Sequence, residues 1–266
     1  MCLDGNNQRS LDNLNKRFVR EYYEGKEWAY MERFAYRQKI LELLSLQRKD
    51  WHVAKFILDL GCNRGATLSY LREFAKDAFI IGIDVSRSAL KKAEKESGFD
   101  YVCAVAETLP FDQKVFNCVL YVNLLEHLAK PQNSLKELGR VMRDSGICLV
   151  VVPNEVTSIR GIARQVLKNP LRKLSNTFAG LLFPEQGHLN FFTPSTFGKL
   201  CLGEHFRVLM TYCDAFIWME LPFLVVFDLV HPKLKYLVKR LVSPLVRHEL
   251  VLWLTDSMAF YIQPTS

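Results

Sequence analysis

No run of about 20 apolar residues occurs in this chain, so no segment is long enough to cross a bilayer as a single helix. The most apolar stretches, residues 146–152 and 221–227, are far shorter. Residues 1–16 are polar and lack an apolar core behind a basic start, which excludes a secretory signal there. The seven cysteines, at 2, 62, 103, 118, 148, 201 and 213, contain no C-x-x-C pair and are odd in number. They support neither a zinc site nor a disulfide framework. Several fall in apolar, strand-like runs, where Cys acts as a small buried hydrophobe. Reduced thiols and a cytoplasmic location follow, and no metal is expected. Charge of one sign is also scarce. Lys plus Arg is 35 against 28 for Asp plus Glu, a surplus of +7 that suits an anionic partner but does not demand nucleic acid. With 49% hydrophobic and 24% charged residues in 266, the chain is neither disordered, collagen-like nor a disulfide-stapled miniature. Its length fits one large domain or a domain with an insertion.

What is present between residues 55 and 152 is alternation. Apolar runs of strand length at 56–60, 79–85, 101–106, 115–122 and 147–152 are separated by polar-apolar segments of helical period at 66–76, 86–98 and 134–142. Runs this apolar are buried on both faces, and alternation with helices implies right-handed crossovers and a parallel sheet. The expectation is a doubly wound, Rossmann-like α/β fold, with ligands at the carboxyl ends of its strands.

The first strand-to-helix turn reads Asp59-Leu60-Gly61-Cys62-Asn63-Arg64-Gly65. Its glycines permit a tight turn and close approach of backbone to a ligand. The spacing is G-x-x-x-G, neither the G-x-G-x-x-G dinucleotide fingerprint nor a P-loop, so nothing here cradles a pyrophosphate. Asp84 ends the second strand, 19 residues after Gly65. Its two carboxylate oxygens suit the two hydroxyls of a ribose. Together the features favour a nucleoside site over a plain capped turn.

On these residues the chain resembles the class I S-adenosylmethionine-dependent methyltransferases, and within them the small-molecule and quinone-type branch. Ile57 to Gly65, Gly82-Ile83-Asp84-Val85-Ser86, Ala106-Glu107-Thr108-Leu109-Pro110-Phe111, Asn123-Leu124-Leu125-Glu126-His127-Leu128 and Arg140 to Gly146 match the family's segments in order. Gly187-His188-Leu189-Asn190-Phe191-Phe192-Thr193-Pro194 resembles a further segment of that branch. Asn63 stands where the family often has Gly, and Asn tolerates unusual backbone angles. Asn117 stands where Asp is frequent. The resemblance implies a seven-stranded sheet, mostly parallel with an antiparallel last strand, and S-adenosyl-L-methionine as cofactor. It places the methionine part on Gly61, Cys62, Asn63 and Gly65, with Asp59 near its amino end. Asp84 would take the ribose hydroxyls and Val85 the adenine face. Ala106 and Glu107 would border the adenine edge, and Asn123 the sulfonium end. Methyl transfer is an in-line displacement that relies on positioning. An oxygen acceptor also needs a general base, for which His127 and His188 are the candidates. Glu126 reads as a solvated carboxylate at a helix start.

Residues 1–50 read as an N-terminal helical segment rich in aromatics, and 51–266 as the methyltransferase domain with cap insertions at about 155–190 and 216–255. Residues 194–202 read as a helix capped by Thr193 with Pro194 first. Residues 206–212 and 258–262 read as the sixth and seventh strands. Arg160, Arg164, Lys168 and Arg172 recur every four residues, so a helix there carries a basic ridge. Leu234, Leu237, Val238 and Leu241 oppose Lys233, Lys235, Lys239 and Arg240 on a second amphipathic segment. Its plainer reading is a helical cap or dimer interface; the sharper one is a lid in peripheral contact with a membrane, serving a lipid-like acceptor. The expected activity is methyl transfer to a small or lipid-like acceptor at oxygen. A noncatalytic relative of the same fold, a nicotinamide oxidoreductase and an RNA methyltransferase stand behind it.

Overall fold

The computed structural model describes residues 34–97, 99–154, 188–214 and 257–265, and backbone alone at 34, 35, 94–97, 213 and 214. The basic ridge at 160–173, the amphipathic segment at 233–241 and most N-terminal aromatics lie outside these residues. Seven strands form one sheet in the order β3-β2-β1-β4-β5-β7-β6, with β7 antiparallel. They are β1 (Phe56–Leu60), β2 (Phe79–Asp84), β3 (Asp100–Cys103), β4 (Phe116–Val122), β5 (Met142–Pro153), β6 (Phe206–Asp214) and β7 (Ser257–Pro264). The helices are α1 (Phe34–Leu46), α2 (Arg48–Val53), α3 (Ala66–Phe74), α4 (Arg87–Ser97), α5 (Pro131–Val141) and α6 (Pro194–Gly203). Among the described residues no helix is long and apolar enough to cross a membrane.

The chain divides into two compact units. The first comprises residues up to 121, 129–148 and 264–266. Its β1 pairs in parallel with both β2 and β4, and β2 pairs with β3. Strand order therefore reverses at β1, the position where open α/β sheets bind ligands beyond their carboxyl ends. β1 is buried from Ile57 to Leu60, and Phe116 and Cys118–Tyr121 of β4 are buried too, so both strands read as continuous apolar runs. Asn117, the polar exception, accepts the amide hydrogens of Lys55 (3.1 Å) and Phe56 (3.0 Å) on Oδ1 and so ties down the start of β1. The second unit comprises 122–128 and 149–263. There Thr193 and Thr196 form a reciprocal capping box with Pro194 in the first turn, as expected for α6. Phe197 stacks on Phe260 at 4.2 Å between ring centres and meets Phe192 edge-on at 6.0 Å.

Three boundaries differ from the sequence reading by three residues or more. β3 stops at Cys103, and the chain then closes a tight turn through a Val105–Thr108 bridge. α5 begins three residues earlier, at Pro131, whose missing amide hydrogen costs nothing in a first turn. β5 begins at Met142, although Arg143, Asp144 and Ser145 are exposed and look like turn residues.

Candidate functional site

The turn after β1 is built around left-handed backbone. Gly61, Asn63 and Gly65 have φ of 75°, 48° and 79°. Asn63 occupies this region without being glycine, and its Oδ1 accepts the Arg64 amide hydrogen at 2.9 Å. The Gly61 and Cys62 amides donate to the Ile83 carbonyl (2.8 and 2.9 Å), and Gly65 donates to that of Cys62 at 2.8 Å. Asp84 holds the turn from the other side. One carboxylate oxygen accepts the Asn63 amide hydrogen and the other that of Ser86, each at 2.9 Å. Ser86 in turn caps α4, its hydroxyl accepting from the Ala89 amide at 3.3 Å.

Register sets one row of side chains across this end of the sheet. Asp59 lies beside Gly82, and Gly82 beside Tyr101. Because Gly82 has no side chain, the Tyr101 ring and the Cys62 sulfur share its space; a Cβ there would lie 2.9 Å from Tyr101 Cδ1 and 2.7 Å from Cys62 Sγ. The same ring reaches over Gly65, where a Cβ would overlap the hydroxyl and lie 3.0 Å from Cζ. Asp59 is a carboxylate in a central strand with 1% of its surface exposed. It accepts the Thr67 hydroxyl, yet its pKa is pushed up from 3.8 to about 7. Burial is the main cause; the Thr67 bond opposes it and the neighbouring Asp84 adds to it. Burial, with Asp84 and Asp59 nearby, also holds the Cys62 thiol well above 9.

The 106–111 segment is clamped from α5. Ser134 donates to the Ala106 carbonyl at 3.1 Å and shares a hydrogen bond with Tyr121. Arg140 donates to the carbonyls of Phe111 (2.7 Å) and Leu109 (2.9 Å), while Glu137 accepts the Leu109 amide hydrogen at 2.8 Å. Arg140 and Glu137 are themselves joined through two hydrogen bonds of 2.9 and 2.8 Å. The bonds from Arg140 are the main reason the Glu137 carboxyl sits below its usual pKa.

In the second unit, Asn123 takes left-handed backbone (φ 51°) and donates to the Val151 carbonyl at 2.9 Å. A single 3-10 turn, Leu125–His127, follows. The 188–190 segment is stapled to it. The Leu189 and Asn190 amides donate to the Glu126 carbonyl (2.7 and 3.0 Å), and Asn190 Nδ2 donates to the Leu128 carbonyl at 2.6 Å. This brings His188 edge-on to His127, ring centres 4.7 Å apart. The Glu126 carboxylate lies 3.9 Å from His127 Nε2. Glu126 is completely buried, which corrects the reading of it as a solvated helix-start carboxylate: the staple and the apolar neighbours Leu125 and Leu128 close over the turn.

Residues 58–150 match the model of the methyltransferase domain family. The cofactor of that family is S-adenosylmethionine. Among curated proteins, the chain is 29% identical over 161 residues to an uncharacterised protein of Methanocaldococcus jannaschii, covering 59% of this chain and 60% of that protein. It is 30% identical over 124 residues to the phthiotriol/phenolphthiotriol dimycocerosates methyltransferase 1 of Mycobacterium ulcerans, covering 46% of each. The chain thus spans about half the length of these relatives. Among solved structures, the plantazolicin methyltransferase BamL, in complex with a triazolic desmethylPZN analog and SAH, superposes with a TM-score of 0.60 at 14% identity, covering 95% of this chain and 96% of that one. That likeness concerns the fold.

Within the matched residues, the fold brings Asp59, Gly61, Cys62, Asn63, Gly65, Asp84 and Val85 to adjoining strand ends. Ala106 and Glu107 lie in the segment clamped from α5, and Asn123 belongs to the second unit. Sequence reading missed Thr67, Tyr101, Glu137 and Arg140. Gly82, opposite Tyr101, was the available signal for the ring. An i, i+3 Glu-Arg pair carries none, because such pairs are common on solvated helix faces.

Proposed function

We propose that this chain binds S-adenosylmethionine on the turn after β1 and transfers its methyl group to the oxygen of a small or lipid-like acceptor. The observation that carries this reading is the left-handed turn at Gly61, Asn63 and Gly65, hydrogen-bonded to a carboxylate that ends β2. The cofactor supplies an electrophilic methyl on a cationic sulfur. The chain's residues fit such a group: the Asp84 carboxylate ends β2 beside the turn, where its oxygens suit ribose hydroxyls, and two carboxylates, Asp59 and Asp84, favour a cationic ligand. Gly61 offers backbone with no side chain in the way. The clamp from Ser134, Glu137 and Arg140 fixes the segment proposed to border the adenine. Most of the rate gain would be positioning, for which alignment is worth up to about 7–11 kcal/mol in favourable cases. An acceptor hydroxyl loses its proton as its oxygen gains the methyl, and His127 and His188 are the imidazoles proposed to receive it. An apolar acceptor is supported by Leu189 (57% exposed) and Phe191 (52%), which follow His188 on the same segment. The dimycocerosate named in the mycobacterial relative points the same way.

Two measurements test the reading. Calorimetric titration with S-adenosylmethionine should give one site per chain, and Asp84→Ala should weaken it by about 1.5–3 kcal/mol or more, the worth of charge-assisted hydrogen bonds. Unchanged affinity in Asp84→Ala sinks the ribose assignment. Incubating methyl-labelled cofactor with extracts fractionated by polarity should place the label in an apolar fraction; label recovered only in RNA or protein overturns the acceptor class.

A further inference from the structure

We propose that Glu126, His127 and His188 form a binding site for a divalent transition-metal ion, zinc being the best match. Each side chain offers one donor atom, and all three donors lie within 4.8 Å of one another. Two imidazole nitrogens and one carboxylate oxygen are the ligands that zinc takes in three-ligand sites, and that iron takes in facial triads. A four-coordinate zinc ion places such donors about 3.3 Å apart, given bonds of about 2.0–2.1 Å. The His127–Glu126 pair, at 3.9 Å, is already near this.

Three further observations favour an ion over a chance cluster. The backbone is pre-arranged. His188 is contributed from 61 positions away, and the paired amide bonds from Leu189 and Asn190 to the Glu126 carbonyl hold it there. The rings meet at 70°, so they do not stack face to face and their nitrogens can converge on one point. Finally, Glu126 is completely buried, so an ion held on its carboxylate is screened from bulk water. His188 is only half-buried, and three-ligand zinc sites keep a fourth position for water or another ligand. An ion and a proton compete for the same imidazole lone pairs. The metal-free protein is the form in which these imidazoles are available to take up a proton. The metal site does not depend on methyl transfer, and its test reads binding directly.

The test uses the full chain after removal of metals with a chelator. Zinc is titrated in competition with a chromophoric chelator, and cobalt(II) is followed by its visible d–d absorption. One zinc per chain is expected. Cobalt should give d–d bands without thiolate charge transfer. Glu126→Gln and His188→Gln should each weaken zinc by about tenfold or more, while Cys103→Ser leaves it unchanged. Absence of stoichiometric zinc, thiolate charge transfer on the cobalt, or wild-type affinity in both variants overturns the site. If the variants fail to fold by circular dichroism, the wild-type cobalt spectrum decides: no d–d bands, no site. Zinc binding in a protein that transfers no methyl group would leave this site standing and remove the methyl-transfer reading alone.

Discussion

Asp59→Asn should flatten the pH dependence of stability. The wild-type carboxyl has its pKa raised from 3.8 to about 7 by burial in β1, with only 1% of the residue exposed. Between these values the folded chain holds a proton that the unfolded chain has released. Stability from this group is therefore fully present below pH 3.8 and is lost as pH rises through about 7. The span of about 3 units corresponds to about 4 kcal/mol. From pH 5 to pH 8 the loss is about 2–3 kcal/mol, an order-of-magnitude figure. In a domain of this size that is roughly 5–10 °C in midpoint temperature. Asparagine has nearly the same shape, can still accept the Thr67 hydroxyl, and does not titrate. The assay is urea unfolding of wild type and variant at pH 5, 6, 7 and 8, taking the difference between them so that other titrating groups cancel. The variant should gain on the wild type with rising pH, while its affinity for a cationic cofactor falls. Parallel curves for the two proteins would refute the claim that Asp59 is a strained carboxyl.

Gly65→Ala should lose about 1–2 kcal/mol from left-handed backbone alone, and more because its methyl overlaps Tyr101. Adding Tyr101→Phe removes the hydroxyl from that overlap, so the double variant should unfold at higher urea than Gly65→Ala; strictly additive effects would argue against the contact. Arg140→Ala should cost about 1–2 kcal/mol, a value discounted because the side chain is 37% exposed, and should raise the KM for cofactor more than it lowers kcat. Arg140→Lys should not restore it, since an ammonium cannot span the Leu109 and Phe111 carbonyls and Glu137 together. Full recovery by lysine would count against the clamp.

The central strands β1 and β4 were legible because they are buried along nearly their whole length and so stand out as largely apolar runs. Local chemistry was legible too: Thr193 before Pro194, Ser86 before α4, and Asn63 where left-handed backbone is needed all act within a few residues. What failed to show was contact across distance or polarity at an edge. Arg143, Asp144 and Ser145 extend β5 into solvent, where no apolar side chain is required, and they therefore resembled a turn. Glu126 beside a helix-like start looked solvated, because its burial comes from a segment more than 60 residues away. The absence of paired cysteines argued against a metal, but that argument did not address histidines joined only by the fold. Asn117 was noticed as odd in its strand, and its role became visible only with the Lys55 and Phe56 amides in place.

The space left by Gly82 has a practical consequence. Cys62 sits in it, buried, its thiol held well above 9 and flanked by two carboxylates. In the closed turn that sulfur is both hidden and protonated, so a thiol reagent can capture it only when the turn comes apart. The rate at which Cys62 is alkylated is thus a built-in stopwatch for opening of the turn after β1. A ligand that seals the turn should slow the stopwatch whatever reaction the protein goes on to perform.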